Sequence, residues 1–171
     1  EPAVDSASIF DLASLTKVLS TTVLAAQAVS EGKLDLDERP WPKWPEICVK
    51  HILCHTSGLQ AWQPCYEQVE HRNCTGLPLG KEIVLELVYN NRPTRPPGEA
   101  VVYSDIGFIA LGALLERRFS ERLDILTSIF WKQAIGQNSI CFVPLFEEGY
   151  HPRIKQVAPT ENCPWRKRII R

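Results

Sequence analysis

The segment Ile106-Gly107-Phe108-Ile109-Ala110-Leu111-Gly112-Ala113-Leu114-Leu115-Glu116 constrains the fold more than any other part of this chain. It carries no charge before Glu116, and a helix that is apolar all round has no face to offer water, so it must be buried. Asp105 stands where its N-cap belongs, after a turn-rich loop holding Pro93, Pro96, Pro97 and Gly98. Residues 13–31 read as a second long helix, with apolar positions every three to four residues and Gly32 as its stop. Lys81 to Tyr89 has helical spacing. So does Leu123 to Ile135, with Leu123, Leu126, Phe130 and Trp131 on one stripe. Ile47 to Cys54 reads as a short helix or buried run, and Lys33 to Asp37 as a short extended segment. Arg39 to Pro45 is a rigid irregular crossing, Gln60 to Pro78 is polar and irregular, and the rest, to Arg171, is short runs and turns. At 171 residues a single, mostly helical domain is the default.

Bulk properties exclude several function classes. The net charge is −1, which leaves no electrostatic footprint for nucleic acid or a membrane surface. The basic group Arg166, Lys167, Arg168 and Arg171 is short and reads as a solvated edge. No apolar run approaches the ~20 residues of a membrane span. The chain starts Glu1-Pro2-Ala3, holds no methionine and stops at Ile169-Ile170-Arg171, the expectation for a processed or truncated product. Its six cysteines form no C-x-x-C pair. Cys65 and Cys74 flank a polar loop and suit a small disulfide in an extracytoplasmic protein, whereas Cys48 and Cys54 read as buried thiols. His51, His55 and His71 are scattered without a carboxylate cluster, so neither a metal nor an organic cofactor is implied.

Chemistry enters with Ser14-Leu15-Thr16-Lys17. Residues three apart share a helix face, so an amine can lie beside a serine oxygen at the start of the helix, where the macrodipole favours negative charge. A serine needs a neighbouring base to become a nucleophile, and a desolvated lysine serves because burial lowers its pKa. The alternative is a capping or solvent-facing Ser14 with Lys17 as a surface charge. The same spacing recurs in Ser30-Glu31-Gly32-Lys33, at the wrong end of the helix. Tyr103, between the Pro-Gly loop and the buried helix, is placed to relay protons over a cleft, and a nearby ammonium favours its phenolate. Its alternative is a packed structural tyrosine, as Tyr89 in Tyr89-Asn90-Asn91 reads.

The succession Phe10-Asp11-Leu12-Ala13-Ser14-Leu15-Thr16-Lys17, His55-Thr56-Ser57-Gly58-Leu59, Pro96-Pro97-Gly98-Glu99 and Tyr103-Ser104-Asp105-Ile106-Gly107 resembles the serine β-lactamase-related family. This family takes in class C β-lactamases, D-alanyl-D-alanine carboxypeptidases and related esterases. Ala158-Pro159-Thr160-Glu161 also looks like a branch of it. The resemblance implies an α+β fold of β-lactamase/transpeptidase type, of which residues 1–171 are a single partial domain. The chain covers the helical region with little of the antiparallel sheet, lacking the N-terminal strands and the C-terminal third-motif strand.

It implies a serine hydrolase that forms an acyl-enzyme on an ester, amide or β-lactam bond, with a small molecule or peptide as substrate. Ser14 would be the nucleophile, Lys17 its proton acceptor and Tyr103 the relay. Asp105 would be a substrate-binding residue in the place where the family commonly has Asn. That change removes an N–H donor and adds a charge. His55 to Gly58 would be a turn that braces the cleft. The family's Lys-Thr-Gly or His-x-Gly is absent from the sequence. That absence and Asp105 favour the alternative of a non-catalytic β-lactamase-like binding or scaffold protein, or an inactive fragment. Relatives of this kind work outside the cytoplasm, so a periplasmic or secreted location is expected.

Overall fold

The computed structural model describes residues 4–71, 79–136, 140–142, 157–158, 161–163 and 168–170. Cys74, Arg166, Lys167 and Arg171 lie outside them. The chain forms two compact units, Lys17–Cys141 and Glu1–Thr16 with Phe142–Arg171.

In the larger unit a π-helical segment, Lys17–Thr22, runs into α1, Val23–Ser30. The π segment is built from Val18, Ser20, Thr21 and Thr22, β-branched or hydroxyl side chains that hold a regular helix poorly. The buried Ser20 hydroxyl bonds the Thr127 hydroxyl at 2.6 Å. At the end of α1, Gly32 takes φ +67. The Lys33 N–H reaches the Ala28 carbonyl at 2.8 Å and the Gly32 N–H reaches Val29 at 3.1 Å, the paired bonds of a Schellman stop.

Lys33 to Asp37, expected to be extended, is a loop that turns at Leu36–Asp37. Its alternation arises because Leu34 is buried while the Asp35 carboxylate accepts the Asp37 N–H at 2.8 Å, closing a side-chain turn. The proline-rich crossing buries Trp41 and Trp44, and the Trp44 indole N–H donates to the Asn91 carbonyl at 2.6 Å. Helix α2, Val49–Leu53, follows. Cys48 at its start is buried, but Cys54 at its end is exposed, against expectation, because the helix stops there and turns its last residue outward.

Helix α3, Cys65–His71, stands where an irregular segment is expected, and it packs against α4, Leu79–Asn90. Pairing with α4 supplies the support that its own sequence, without a clear apolar period, does not advertise. Cys65 is a buried free thiol whose ionisation burial pushes up. Tyr89 is a packed residue, its ring 5.7 Å from that of Trp44.

Helix α5, Asp105–Phe119, is the centre of the unit. It buries Ile106 to Phe108 and Ala110 to Leu115, and it packs against the π segment, α1, α2, α4 and α6. Its N-cap is Ser104, whose hydroxyl accepts the Gly107 N–H at 3.2 Å. Asp105 is therefore the first helical residue and not the cap, because its neighbour fills that position. Helix α6, Leu123–Ile135, starts where the Glu116 carboxylate accepts the Leu123 N–H at 2.9 Å. The Trp131 indole on α6 donates to the Leu19 carbonyl at 2.6 Å.

The loop after α2 forms an irregular ladder with the Pro-Gly loop. The N–H groups of Thr94, Gly98, Val102 and Asp105 donate to the carbonyls of Gly58, Thr56, His55 and Ala61, each at 2.8 Å. In the smaller unit Ile9 bridges Val157 in parallel, and β1, Glu161–Cys163, pairs antiparallel with β2, Arg168–Ile170, setting Asn162 opposite Ile169. The strands among the described residues are this one pair, so the described part is mostly helical with little sheet.

Gly58 is fixed in the ladder at φ +76, and a Cβ there would lie 2.1 Å from the Arg95 carbonyl oxygen. Gly58→Ala is expected to destabilise the protein by at least about 2 kcal/mol, combining left-handed strain with the clash. A denaturation midpoint equal to wild type would show that this backbone approach is not fixed.

Candidate active site

Tyr103 and Asp105 leave the Pro-Gly loop side by side because the ladder grips both ends of their turn. Val102 is tied to His55 and Asp105 to Ala61 through the backbone, and the Ser104 hydroxyl donates to the Gln60 carbonyl at 2.6 Å. The turn meets Lys17 at the start of the π segment. The Lys17 ammonium lies 2.6 Å from Asp105 Oδ1 and 4.8 Å from the centre of the Tyr103 ring. Lys17 is 15% exposed, which makes the pair more than a surface ion pair screened by water. Asp105 Oδ1 is itself buried and has no other partner among the described residues, so the ammonium is what offsets its desolvation.

Three of the four sequence candidates, Lys17, Tyr103 and Asp105, are thus brought together. Ser14 belongs to the smaller unit. It is exposed in the turn Ala13–Ser14, where the Asp11 carboxylate accepts the Ala13 N–H at 2.8 Å and the Thr16 N–H reaches the Ala13 carbonyl at 3.0 Å.

The electrostatics differ from expectation in sign. Burial pulls the Lys17 pKa down, as a desolvated base requires. The hydrogen bonds and charge of Asp105 and Tyr103 outweigh it and hold Lys17 above the ordinary lysine value. Lys17 is a stabilised ammonium beside a phenol ring. The second serine–lysine pair has no such setting. Ser30 donates to the Gln27 carbonyl at 2.8 Å, while Lys33 pairs with Glu31 and sits over the Phe119 ring.

One residue of this neighbourhood carried no chemical role in the sequence reading. The His55 imidazole lies 4.4 Å from the Tyr103 ring and 4.9 Å from Phe108, and its Nδ1 accepts the Ser104 N–H at 3.0 Å. The signal available was its place in His55-Thr56-Ser57-Gly58, which marks a brace but not what is braced. Among the described residues no group of His, Cys, Asp and Glu is gathered to hold a metal ion, and no helix is long and apolar enough to cross a membrane.

In the larger unit a lysine, a tyrosine and an acid converge at the start of two helices, and the family is shown by comparison with known proteins. The sequence profile of the family described as Beta-lactamase matches residues 1–128, so the chain belongs to that family. It is 28% identical over 168 residues to the N-acetylmuramyl-L-alanine amidase of Bacillus subtilis (strain 168), covering 90% of this chain and 37% of that protein. It is 26% identical over 169 residues to a protein of Salmonella agona (strain SL483) named, provisionally, a D-alanyl-D-alanine carboxypeptidase, covering 90% and 38%. The chain therefore spans well under half the length of these relatives.

Among solved structures, a penicillin binding protein from Bacillus halodurans matches with a TM-score of 0.63 at 21% identity, over 77% of this chain and 43% of that one. The octameric penicillin-binding protein homologue from Pyrococcus abyssi matches with a TM-score of 0.58 at 22% identity, over 77% and 31%. Both likenesses are of fold.

Asp105→Asn removes the charge that holds Lys17 protonated, so Lys17 is expected to titrate at lower pH than in wild type, followed by NMR of its side chain. The linkage sign follows from the upward shift. The ion pair stabilises the fold below the ordinary lysine range and is lost as pH rises through the raised value. Wild-type stability should thus fall at alkaline pH more steeply than that of the variant. Parallel alkaline profiles would show that the pair contributes nothing.

Proposed function

We propose that this chain is the helical part of a serine hydrolase that works through an acyl-enzyme on an ester, amide or β-lactam bond, both units belonging to one partial domain. The single observation behind the reading is the Lys17 ammonium held between Asp105 and the Tyr103 ring. An acid–base pair of this kind is what a weak serine nucleophile needs. Support for a single domain comes from the family match, which runs through residues 1–128 across the boundary between the units.

In this mechanism the Ser14 oxygen attacks the substrate carbonyl carbon as the Lys17–Tyr103 pair takes its proton. The bond to the leaving group breaks, and the pair returns the proton to it. Water then adds to the acyl carbon, giving a proton to the pair, and Ser14 is released with its hydroxyl restored. Lys17 enters as an ammonium and cannot take that proton, so in this mechanism Tyr103 enters as the phenolate, whose oxygen accepts the proton and later returns it, with Lys17 as its counter-charge. Asp105, directed at Lys17, sets that charge. This differs from the substrate-binding role its sequence position suggests.

The relatives' names are those of an amidase and a carboxypeptidase, which supports amide bonds of peptidoglycan type as the substrate class and a location outside the cytoplasm. Substrate choice is not inherited with a fold. A second reading, a non-catalytic family member, is favoured by Asp105 itself, since an ion-paired Lys17 is not a free base.

Covalent labelling separates the two. In the full-length protein a fluorophosphonate is expected to form one adduct at Ser14, lost in Ser14→Ala. An adduct that persists in Ser14→Ala removes Ser14 from the mechanism, and no adduct on wild type favours the second reading. Lys17→Ala is expected to slow labelling by at least about 10²-fold, the usual scale for acid–base groups. An unchanged rate would take Lys17 out of the reaction.

A further inference from the structure

His55 is held in a manner that packing alone does not require. Its φ of +56 is the left-handed conformation, uncommon for a residue other than glycine although histidine takes it more often than most. The surroundings here are the end of α2 on one side, where the His55 N–H reaches the Ile52 carbonyl at 3.0 Å. On the other side is the Pro-Gly loop, where Val102 donates to the His55 carbonyl at 2.8 Å. That conformation directs the imidazole at the turn holding the site. The ring lies against Tyr103, and Nδ1 accepts from the Ser104 N–H, in the peptide that joins Tyr103 to Ser104.

A backbone N–H only donates, so Nδ1 must carry a lone pair, and the ring proton of the neutral imidazole is on Nε2. Protonation at Nδ1 would set two N–H groups against each other and break the bond. The charged groups facing the ring are Lys17 from the π segment, whose ammonium opposes a second cation, and Asp105 from α5, whose carboxylate favours one. The Tyr103 phenol touches it directly. Burial comes first among the causes, Lys17 adds to it, and together they outweigh Asp105, so His55 titrates below the ordinary histidine value.

We propose that His55 is a positioning residue for Tyr103, its neutral Nε2–H imidazole locking the Tyr103–Ser104–Asp105 turn through Nδ1 and its protonation releasing that turn. The lock is a property of the fold. Only its effect on rate rests on the reading of Tyr103 as the acid–base group. The consequence is an acid limit on activity set by a residue that never touches substrate.

Two measurements on the full-length protein test it. Imidazole nitrogen shifts of wild type should show the Nε2–H tautomer at neutral pH, with a titration below the ordinary histidine range. Hydrogen exchange at the Ser104 amide should be slow in the neutral form and accelerate as His55 titrates. An Nδ1–H tautomer, or Ser104 protection that ignores the titration, overturns the proposal. This readout needs neither activity nor a variant.

The second measurement is the pH profile of Ser14 labelling. Wild type should lose rate on the acid side with the His55 midpoint. In His55→Asn the amide tolerates positive φ and keeps an acceptor oxygen, so labelling at neutral pH should survive and the fall in rate at the wild-type His55 midpoint should disappear. In His55→Phe the ring contact stays but the acceptor is lost, and the rate should fall by about 10²-fold at every pH, the scale of a small misplacement of an acid–base group. A fall in rate retained at the wild-type His55 midpoint in His55→Asn overturns the effect on rate. If wild type takes no label while the tautomer and the Ser104 protection behave as stated, the hydrolase reading fails and the lock stands.

Discussion

The site depends on how the carbonyls of His55 to Ala61 grip the loop that ends at Asp105. That loop contains Pro93, Pro96 and Pro97, none of which has an N–H to give, so it cannot form a regular ladder. The donors that reach across are the N–H groups of Thr94, Gly98, Val102 and Asp105 and the Ser104 hydroxyl. The prolines also limit the freedom of the unfolded loop, which lowers the entropy lost when the grip forms. Gly58 permits the closest approach, since any side chain there would strike the Arg95 carbonyl. Tyr103 is thus fixed by backbone bonds on both sides, and its ring is held between the His55 imidazole and the Lys17 ammonium.

Charge then decides what the positioned groups can do. The same serine–lysine spacing occurs twice, and the two lysines have opposite fates. Lys33, past the Gly32 stop, pairs with its neighbour Glu31 in solvent. Such a pair is worth little. Lys17 is largely shielded and has an acid from another helix at 2.6 Å. Partial burial strengthens that attraction while making the bare ammonium costly, and the attraction wins. Spacing in sequence is common to both pairs, and the neighbours brought by the fold are what separate them.

Legibility followed the length and regularity of the apolar pattern. Helix α6 spans Leu123–Ile135 as its stripe predicts, and α5 is the buried centre that an uncharged run demands. Short elements were harder to read. Cys65 to His71 has no period and folds against α4, while the alternation of Lys33 to Asp37 mimicked a strand because one aspartate closed a turn on itself. The sequence points to Asp105 as the cap of α5, one residue past Ser104, which fills that place. Ser104 and Asp105 are both good caps, and only the direction of the Ser104 hydroxyl toward the Gly107 N–H tells them apart. At the site, motif order singled out Lys17, Tyr103 and Asp105, which the fold gathers. The ion pair that reverses the sign of the Lys17 shift was invisible, because residues so far apart in sequence interact only through the packing of α5 on the π segment.

That packing ties the site to the core at a second point. Gly107 lies one helical turn or less beyond Tyr103 and Asp105, and a Cβ there would come within 3.1 Å of the Ile52 side chain. The absent side chain lets α5 settle close against α2. Helix α2 ends at Leu53, two residues before His55, so the helix that sets the start of α5 also delivers the imidazole that locks the turn. Acid–base chemistry tolerates little displacement. Here the two ends of one turn are referenced to the same short helix, once through packed apolar groups and once through hydrogen bonds. A shift of α2 would carry the brace and the start of α5 in the same direction, which preserves the geometry of Tyr103 and Asp105 better than two independent supports would.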